Sequence, residues 1–167
     1  MRIGLLSDTH GFLDPNIFLH FKKCDEIWHA GDFGNEGVSE KLKSFSNIRG
    51  VFGNIDGREI RQVYPEEQNF ICDGINVFMT HIGGYPGNYF PEVAAKLASF
   101  KPNLFICGHS HILKVMPDKK NNLLHMNPGA AGRHGFHKIR TILRFTILNG
   151  KISDLEAIEL GLRSAFG

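Results

Sequence analysis

Cysteine is scarce in this chain, three among 167 residues, and Cys24, Cys72 and Cys107 form no CxxC pair. An odd, scattered set excludes a disulfide framework and a thiolate zinc site, and it fits a reducing compartment, so a cytoplasmic location is expected. Repeats, low-complexity tracts, linkers and long runs of like charge are also missing. With 19 Lys+Arg against 17 Asp+Glu, the net charge of +2 is spread along the chain. That balance offers no basic face, and nucleic acid is not expected as a partner. No apolar run is long enough to span a bilayer, and the opening Met1-Arg2-Ile3-Gly4-Leu5-Leu6 is too short for a signal-peptide core, so no membrane role is expected. What is there is an ordinary globular composition, 42% hydrophobic and 22% charged, read as one domain over 1–167. A chain of this size buries roughly two-thirds of its unfolded surface, so it needs no metal merely to fold. Against that background nine histidines stand out, several of them beside glycines.

Apolar patterning gives the order of elements. Residues 3–7 read as a buried strand, and Asp14-Pro15 supplies an N-cap and first-turn proline for a helix with Ile17, Phe18 and Phe21 on one face. Strands at 26–30 and 48–52 flank a helix over 36–45, a βαβαβ alternation that argues for parallel pairing. Asp73-Gly74 between 69–72 and 75–80 marks a hairpin with a type I′ turn. Pro91 begins a helix carrying Val93, Leu97 and Phe100, followed by a buried strand at 104–107. Short strands at 112–116, 123–126, 138–148 and, after Asn149-Gly150, 151–158 make the second half mainly antiparallel. An α/β sheet facing a second, more antiparallel sheet fits this order.

Five apolar runs end in residues able to bind metal: Asp8-Thr9-His10-Gly11, Gly31-Asp32, Gly53-Asn54, His81-Ile82-Gly83-Gly84 and Gly108-His109-Ser110-His111. Ligands collect outside the carboxyl ends of strands in open α/β sheets, and the glycines let the backbone turn sharply there. Each fragment alone is weak, since Asp, Asn, His and Gly are also common turn chemistry. Together and in order they aim two Asp, one Asn and four His at one region. Mixed imidazole and carboxylate donors without thiolate suit a first-row divalent ion. Seven donors are too many for one such ion and about right for two sharing a carboxylate, the clamp used in phosphoester displacement. A single-zinc hydrolase leaves Asn54 and at least two other donors without a role.

The ordered set Asp8-x-His10, Gly31-Asp32, Gly53-Asn54, His81 and Gly108-His109-x-His111 resembles the calcineurin-like metallophosphoesterases. With Asn127-Pro128-Gly129 and the compact length, it is similar to their small bacterial and archaeal phosphodiesterase branch. The resemblance covers roughly 1–132 and implies a four-layer αββα sandwich of two mixed sheets with a dinuclear centre at one end. It implies that Asp8, His10, Asp32 and His111 hold one ion and that Asp32, Asn54, His81 and His109 hold the other, with Asp32 bridging. Asp32, Asn54 and His81 are the implied catalytic set, and the implied reaction is in-line hydrolysis of a small or activated phosphodiester by a metal-bridging hydroxide. Manganese comes first among the expected ions, with nickel, iron, cobalt or zinc as alternatives. A homodimer or homotetramer is implied only by the resemblance.

One position departs from the pattern. Many family members read Gly-Asn-His-Asp or Gly-Asn-His-Glu, with the histidine assigned to leaving-group protonation or phosphate binding, and this chain has Ile55 there. A missing general acid typically costs about 10²–10⁴-fold where the leaving group needs it, so good leaving groups are expected. Arg133 and His134, with His137, follow Asn127-Pro128-Gly129 and are candidates for phosphate contact or for the acid, a solvated turn being the alternative. Tyr85, Tyr89 and Phe90 form one wall of a base-stacking pocket or pack on the sheet. His20, His29 and His125 are read as structural, and Trp28 as core. The rival function is a scaffold, as in the retromer subunit of the same branch. Possession of all seven donors favours the enzyme, and an extended exposed apolar patch would favour the scaffold.

Overall fold

Ile3 and Leu5 turn to one side of the first strand, β1 (Arg2–Leu6), while Gly4 and Leu6 turn to the other, and that alternation builds the molecule in layers. The computed structural model describes residues 1–164; the last three positions of the expected 1–167 domain lie outside the described residues. After β1 come α1 (Asn16–Phe21), β2 (Glu26–His29), α2 (Glu36–Phe45), β3 (Asn47–Gly50), α3 (Arg58–Val63), β4 (Glu67–Cys72) and β5 (Ile75–Thr80). The chain continues through β6 (Gly84–Tyr85), β7 (Asn88–Tyr89), α4 (Pro91–Phe100), β8 (Leu104–Ile106), β9 (Leu113–Asp118), β10 (Leu123–Pro128), β11 (Ile139–Leu148) and β12 (Lys151–Leu162).

Two five-stranded mixed sheets result, in the orders β12-β11-β1-β2-β3 and β4-β5-β8-β10-β9. Strands β1, β2 and β3 are parallel in the first, and β5, β8 and β10 in the second, with antiparallel strands completing each, so the second sheet is not the more antiparallel one expected: its middle strands pair in parallel. Ile3, Leu5, Trp28, Leu143 and Phe145 of one sheet meet Val77, Met79, Leu104, Ile106 and Met126 of the other in a shared core. On its outer face the first sheet packs Leu6, Ile27 and Ile142 against Ile17 and Phe21 of α1, Val38 and Leu42 of α2 and Ile60 of α3. The second sheet presents Phe78 and Phe105 to Val93 and Leu97 of α4. Strands buried on both faces read as near-continuous apolar runs, which is what the central strands show. The expected αββα sandwich is therefore present, with Trp28 fully buried in it.

Several element bounds differ from the sequence reading, and α3 and the β6–β7 hairpin were not anticipated. The third strand leaves its ladder after Gly50, and 51–53 run on as irregular backbone toward the site. Helix α1 begins at Asn16, but Pro15 already has helical φ −56° and the Asp14 carboxylate accepts from the Asn16 N–H, so the anticipated cap does its work. Asp73 (φ 42°) with Gly74 (φ 83°), and Asn149 (φ 49°) with Gly150 (φ 73°), make the expected left-handed hairpin turns. The three cysteines are free. Among the described residues no helix is long and apolar enough to cross a membrane.

Candidate metal centre

The five donor-bearing loops leave the carboxyl ends of β1, β2 and the edge strand β3 in the first sheet and of β5 and β8 in the second. Beyond β1 and β2 the ladder continues as loop hydrogen bonds: Asp8 N–H to Gly31 O, His10 N–H to Asp32 O and Gly11 N–H to Phe33 O. Gly108 N–H donates to His81 O, joining two loops of the second sheet, and Gly132 N–H donates to Asp8 O, which ties the second sheet's end to the first's. The backbone turns so tightly here that Asp8, His10, Asp32, His109 and His111 all adopt positive φ, between 46° and 68°. Such strain costs on the order of 1 kcal/mol or more per residue and gathers where function fixes the geometry. Glycine is required at Gly53, where a Cβ would come within 2.0 Å of Asp32 Oδ1.

Two donor clusters follow, one of Asp8, His10 and His111 and one of Asp32, His81 and His109. Each draws on loops of both sheets. In the first, His111 Nε2 lies 3.2 Å from both Asp8 Oδ1 and His10 Nε2. In the second, His81 Nε2 is 3.3 Å from Asp32 Oδ2 and 3.1 Å from the Asn54 amide oxygen, which brings the seventh expected donor to the same place. His10 Nε2 is 3.6 Å from Asp32 Oδ2, so that carboxylate faces both clusters. Asp8 Oδ2 accepts from the His109 N–H, but Asp8 Oδ1 is buried without a hydrogen-bond partner among imidazole Nε2 atoms. A buried carboxylate oxygen so placed is matched by a cation, and the donor set fits a pair of divalent ions.

Neighbouring groups orient these donors. His81 Nδ1 lies 2.7 Å from Ala30 O, which accepts only from a protonated Nδ1 and so turns Nε2 inward. Burial disfavours the His81 cation, but the hydrogen bond to Asp32 and the charge of Asp8 outweigh it and raise its pKa. Burial dominates at His10 and His109 and lowers both. His29 is structural, as read from the sequence: its Nδ1 accepts from Gly31 N–H, so its Nε2–H donates to Thr9 Oγ1. Full burial pushes its pKa down to about 3 and keeps it neutral.

Three supporting residues were given no role in the sequence reading. The buried Asp56 carboxylate accepts from the N–H groups of Phe33, Gly34 and Gly53, tying the Asp32 turn to the Asn54 turn. Asn127 donates to Gly108 O and Ser110 Oγ and so braces the turn carrying His109 and His111. Arg61 of α3 donates to Asp56 O and Gly53 O while its guanidinium lies over Phe52. Asp56 lies two residues after Asn54 and Asn127 opens the quoted Asn127-Pro128-Gly129, so membership of these motifs was the available signal.

The turn after β10 also comes to the site. His134 lies 4.9 Å from His10 and His137 lies 5.2 Å from His111, ring to ring. Gly135 sits so close that a Cβ there would meet the His111 ring at 2.2 Å. Arg133 places its guanidinium over Phe12, 4.2 Å away. Ile55 is 46% exposed and contributes its backbone N–H to Asp32 Oδ1.

The sequence model of the calcineurin-like phosphoesterase superfamily domain matches residues 1–150. A probable metallophosphoesterase from Methanothermobacter thermautotrophicus is 25% identical over 78% of this chain and 77% of its own. One from Methanocaldococcus jannaschii is 26% identical over 78% of this chain and 68% of its own. Among solved structures, an archaeal phosphodiesterase superposes with a TM-score of 0.76 at 23% identity, covering 96% of this chain and 100% of that one. Vps29 from Entamoeba histolytica superposes with a TM-score of 0.72 at 16% identity, covering 96% and 100%. At those identities the two superpositions speak to the fold.

Proposed function

The chain belongs to the calcineurin-like phosphoesterase superfamily, and on that premise we propose that it is a metal-dependent phosphodiesterase acting on small or activated phosphodiesters at a dinuclear centre. The observation that carries this reading is the pair of adjacent donor clusters, with the buried, unpartnered Asp8 Oδ1 between them. In this reading Asp8, His10, Asp32 and His111 hold one divalent ion, manganese before nickel, iron, cobalt or zinc, and Asp32, Asn54, His81 and His109 hold the other. Such a pair, when bound, neutralises phosphoryl charge and lowers the pKa of a water from 15.7 to about 7.

The chain's own groups do the rest. Asp32 turns Oδ2 toward both His10 and His81, while its Oδ1 is fixed by the Ile55 N–H. Asn54 aims its amide oxygen, and His81 its Nε2, at the same point from opposite sheets. His134, beside His10, and Arg133, over Phe12, are assigned to phosphate contact at the rim. The side chain at Ile55 donates no proton, so esters whose leaving groups depart unprotonated are preferred.

The test is hydrolysis of bis-p-nitrophenyl phosphate by metal-stripped protein with manganese, nickel or zinc restored, beside Asp32→Asn and His81→Ala. Metal-dependent turnover that both variants abolish is the expected result. Folded protein that retains two ions and shows no turnover with any of them would overturn the enzyme and leave the scaffold reading.

A further inference from the structure

A phosphodiester has two ester arms, and two cavities flank the Asp32–His81–His109 cluster. One, of 410 Å³, opens beside Asn54 and His81 and is lined by Arg61, Lys96, Glu66 and Glu92. The other, of 470 Å³, starts at His109 and Ser110 and runs along the β6–β7 hairpin between Tyr85, Tyr89 and Phe90. Phe90 and Pro91 line both, so a ridge divides a charged cavity from an aromatic one. Resting on the diesterase reading above, we propose that the aromatic cavity is the subsite for a nucleobase carried on one arm of the substrate.

The rings are placed to hold a flat partner. Tyr89 packs edge-on against Phe105, 5.5 Å away, and beside His125, 5.9 Å away, which makes it a fixed floor. Tyr85 and Phe90 are 45% and 52% exposed, large apolar surfaces left beside a cavity. Lys114 Nζ lies over the Tyr85 ring, 4.3 Å from its centre, and is not among the residues lining the cavity, which Tyr85 is. The hairpin is pressed onto the sheet by glycine: a Cβ at Gly83 would meet the Phe105 ring at 2.7 Å.

Polar groups are few and sit where the edge of a base would reach them. Asn88 offers an amide, and Ser110 Oγ accepts from Asn127, which leaves its own O–H to donate. The volume lies in the ordinary range for small-molecule sites, roughly 300–1,000 Å³, and an apolar lining with a few placed polar groups is their usual composition. Base–aromatic stacking is sequence-tolerant and strong enough for a tenfold change in affinity.

The test compares adenosine 5′-monophosphate with ribose 5-phosphate by calorimetric titration, with and without manganese. The wild-type protein is expected to bind the nucleotide about tenfold more tightly. Tyr85→Ala with Phe90→Ala brings the nucleotide down to the ribose phosphate value, and Tyr85→Phe keeps the preference because only the ring face is used. Tyr85→Ala alone loses part of it, and unchanged melting temperatures separate this loss from misfolding. Equal affinity for the two ligands, or a preference that the double variant keeps, overturns the subsite. A base preference erased by the double variant, in protein that never hydrolyses bis-p-nitrophenyl phosphate, retains the subsite and removes the diesterase.

Discussion

Asp56 accepts three backbone hydrogen bonds while almost fully buried, and none of the three N–H groups has another partner in reach. Bonds to a charged acceptor are worth about 1.5–3 kcal/mol each, and buried donors left bare cost their full desolvation. Asp56→Ala is therefore expected to cost about 3 kcal/mol or more, read as a melting temperature lower by about 10 °C. Manganese affinity should fall about tenfold, because the Asp32 and Asn54 turns lose their common tie. His125 is a different case. It is buried, neither ring nitrogen has a partner, and burial, helped by Lys114, pushes its pKa down to about 4. An unfolded histidine takes up its proton near pH 6.5, so the stability held by neutral His125 is complete above that pH and declines as pH falls toward 4. His125→Leu is expected to remove one proton from that dependence, up to about 1.4 kcal/mol per pH unit between pH 6 and 5, with little change at pH 8. Thermal melts across that range measure it.

At the scale of elements, β1, β2, β5 and β8 were readable because each brings an apolar run to a stop at Gly, Asp or His, whereas β3 reads Asn-Ile-Arg-Gly and its apolar Val51-Phe52 lies beyond the ladder. The supports were not readable. Helix α3 has six residues and buries only Ile60, so it has no periodicity to detect. The β6–β7 pair has two residues per strand and is held against the sheet by Gly83, a contact no local pattern announces. The histidines gave the centre because their type implies chemistry. Asp56 acts through backbone N–H groups 22 and 23 residues away, and Arg61 through carbonyls of the preceding loop, contacts that only the fold reveals. Glycine shapes the strands as well as the turns. A Cβ on Gly4 of β1 would meet the Phe21 ring of α1 at 2.7 Å. Gly4→Ala is expected to push α1 off the sheet and cost about 1–3 kcal/mol in denaturant melts, with manganese binding retained because the displaced helix carries no donor.

Across the whole molecule, Arg140 joins three regions: its guanidinium donates to Asp14 ahead of α1 and to the Leu160 and Leu162 carbonyls of β12. Burial alone would raise the Asp14 carboxyl, but the hydrogen bond and charge of Arg140 override it and hold the pKa below the ordinary range. That stability is present above the unfolded carboxylate pKa and is lost as pH falls through the depressed value. Asp14→Asn is expected to cost about 3 kcal/mol at pH 7, since it strands a buried guanidinium, and to flatten the acid limb of the stability profile below pH 4.

The donor clusters have a mechanical meaning besides a chemical one. Asp8, His10, Asp32 and Asn54 come from one sheet and His81, His109 and His111 from the other, so each ion of the proposed centre would be a rivet through the interface. The rivet holes line up only after residues about a hundred positions apart have met, as Asp8 and His109 do. A half-assembled chain offers no complete cluster, and ions at the proposed centre would therefore grip the finished sandwich alone. At a hundredfold excess over its dissociation constant a ligand selective for the folded state adds about 2.7 kcal/mol. Chelation should loosen this end first, seen as faster amide exchange in the loops after β1, β2, β5 and β8 while the far ends of the same strands stay protected.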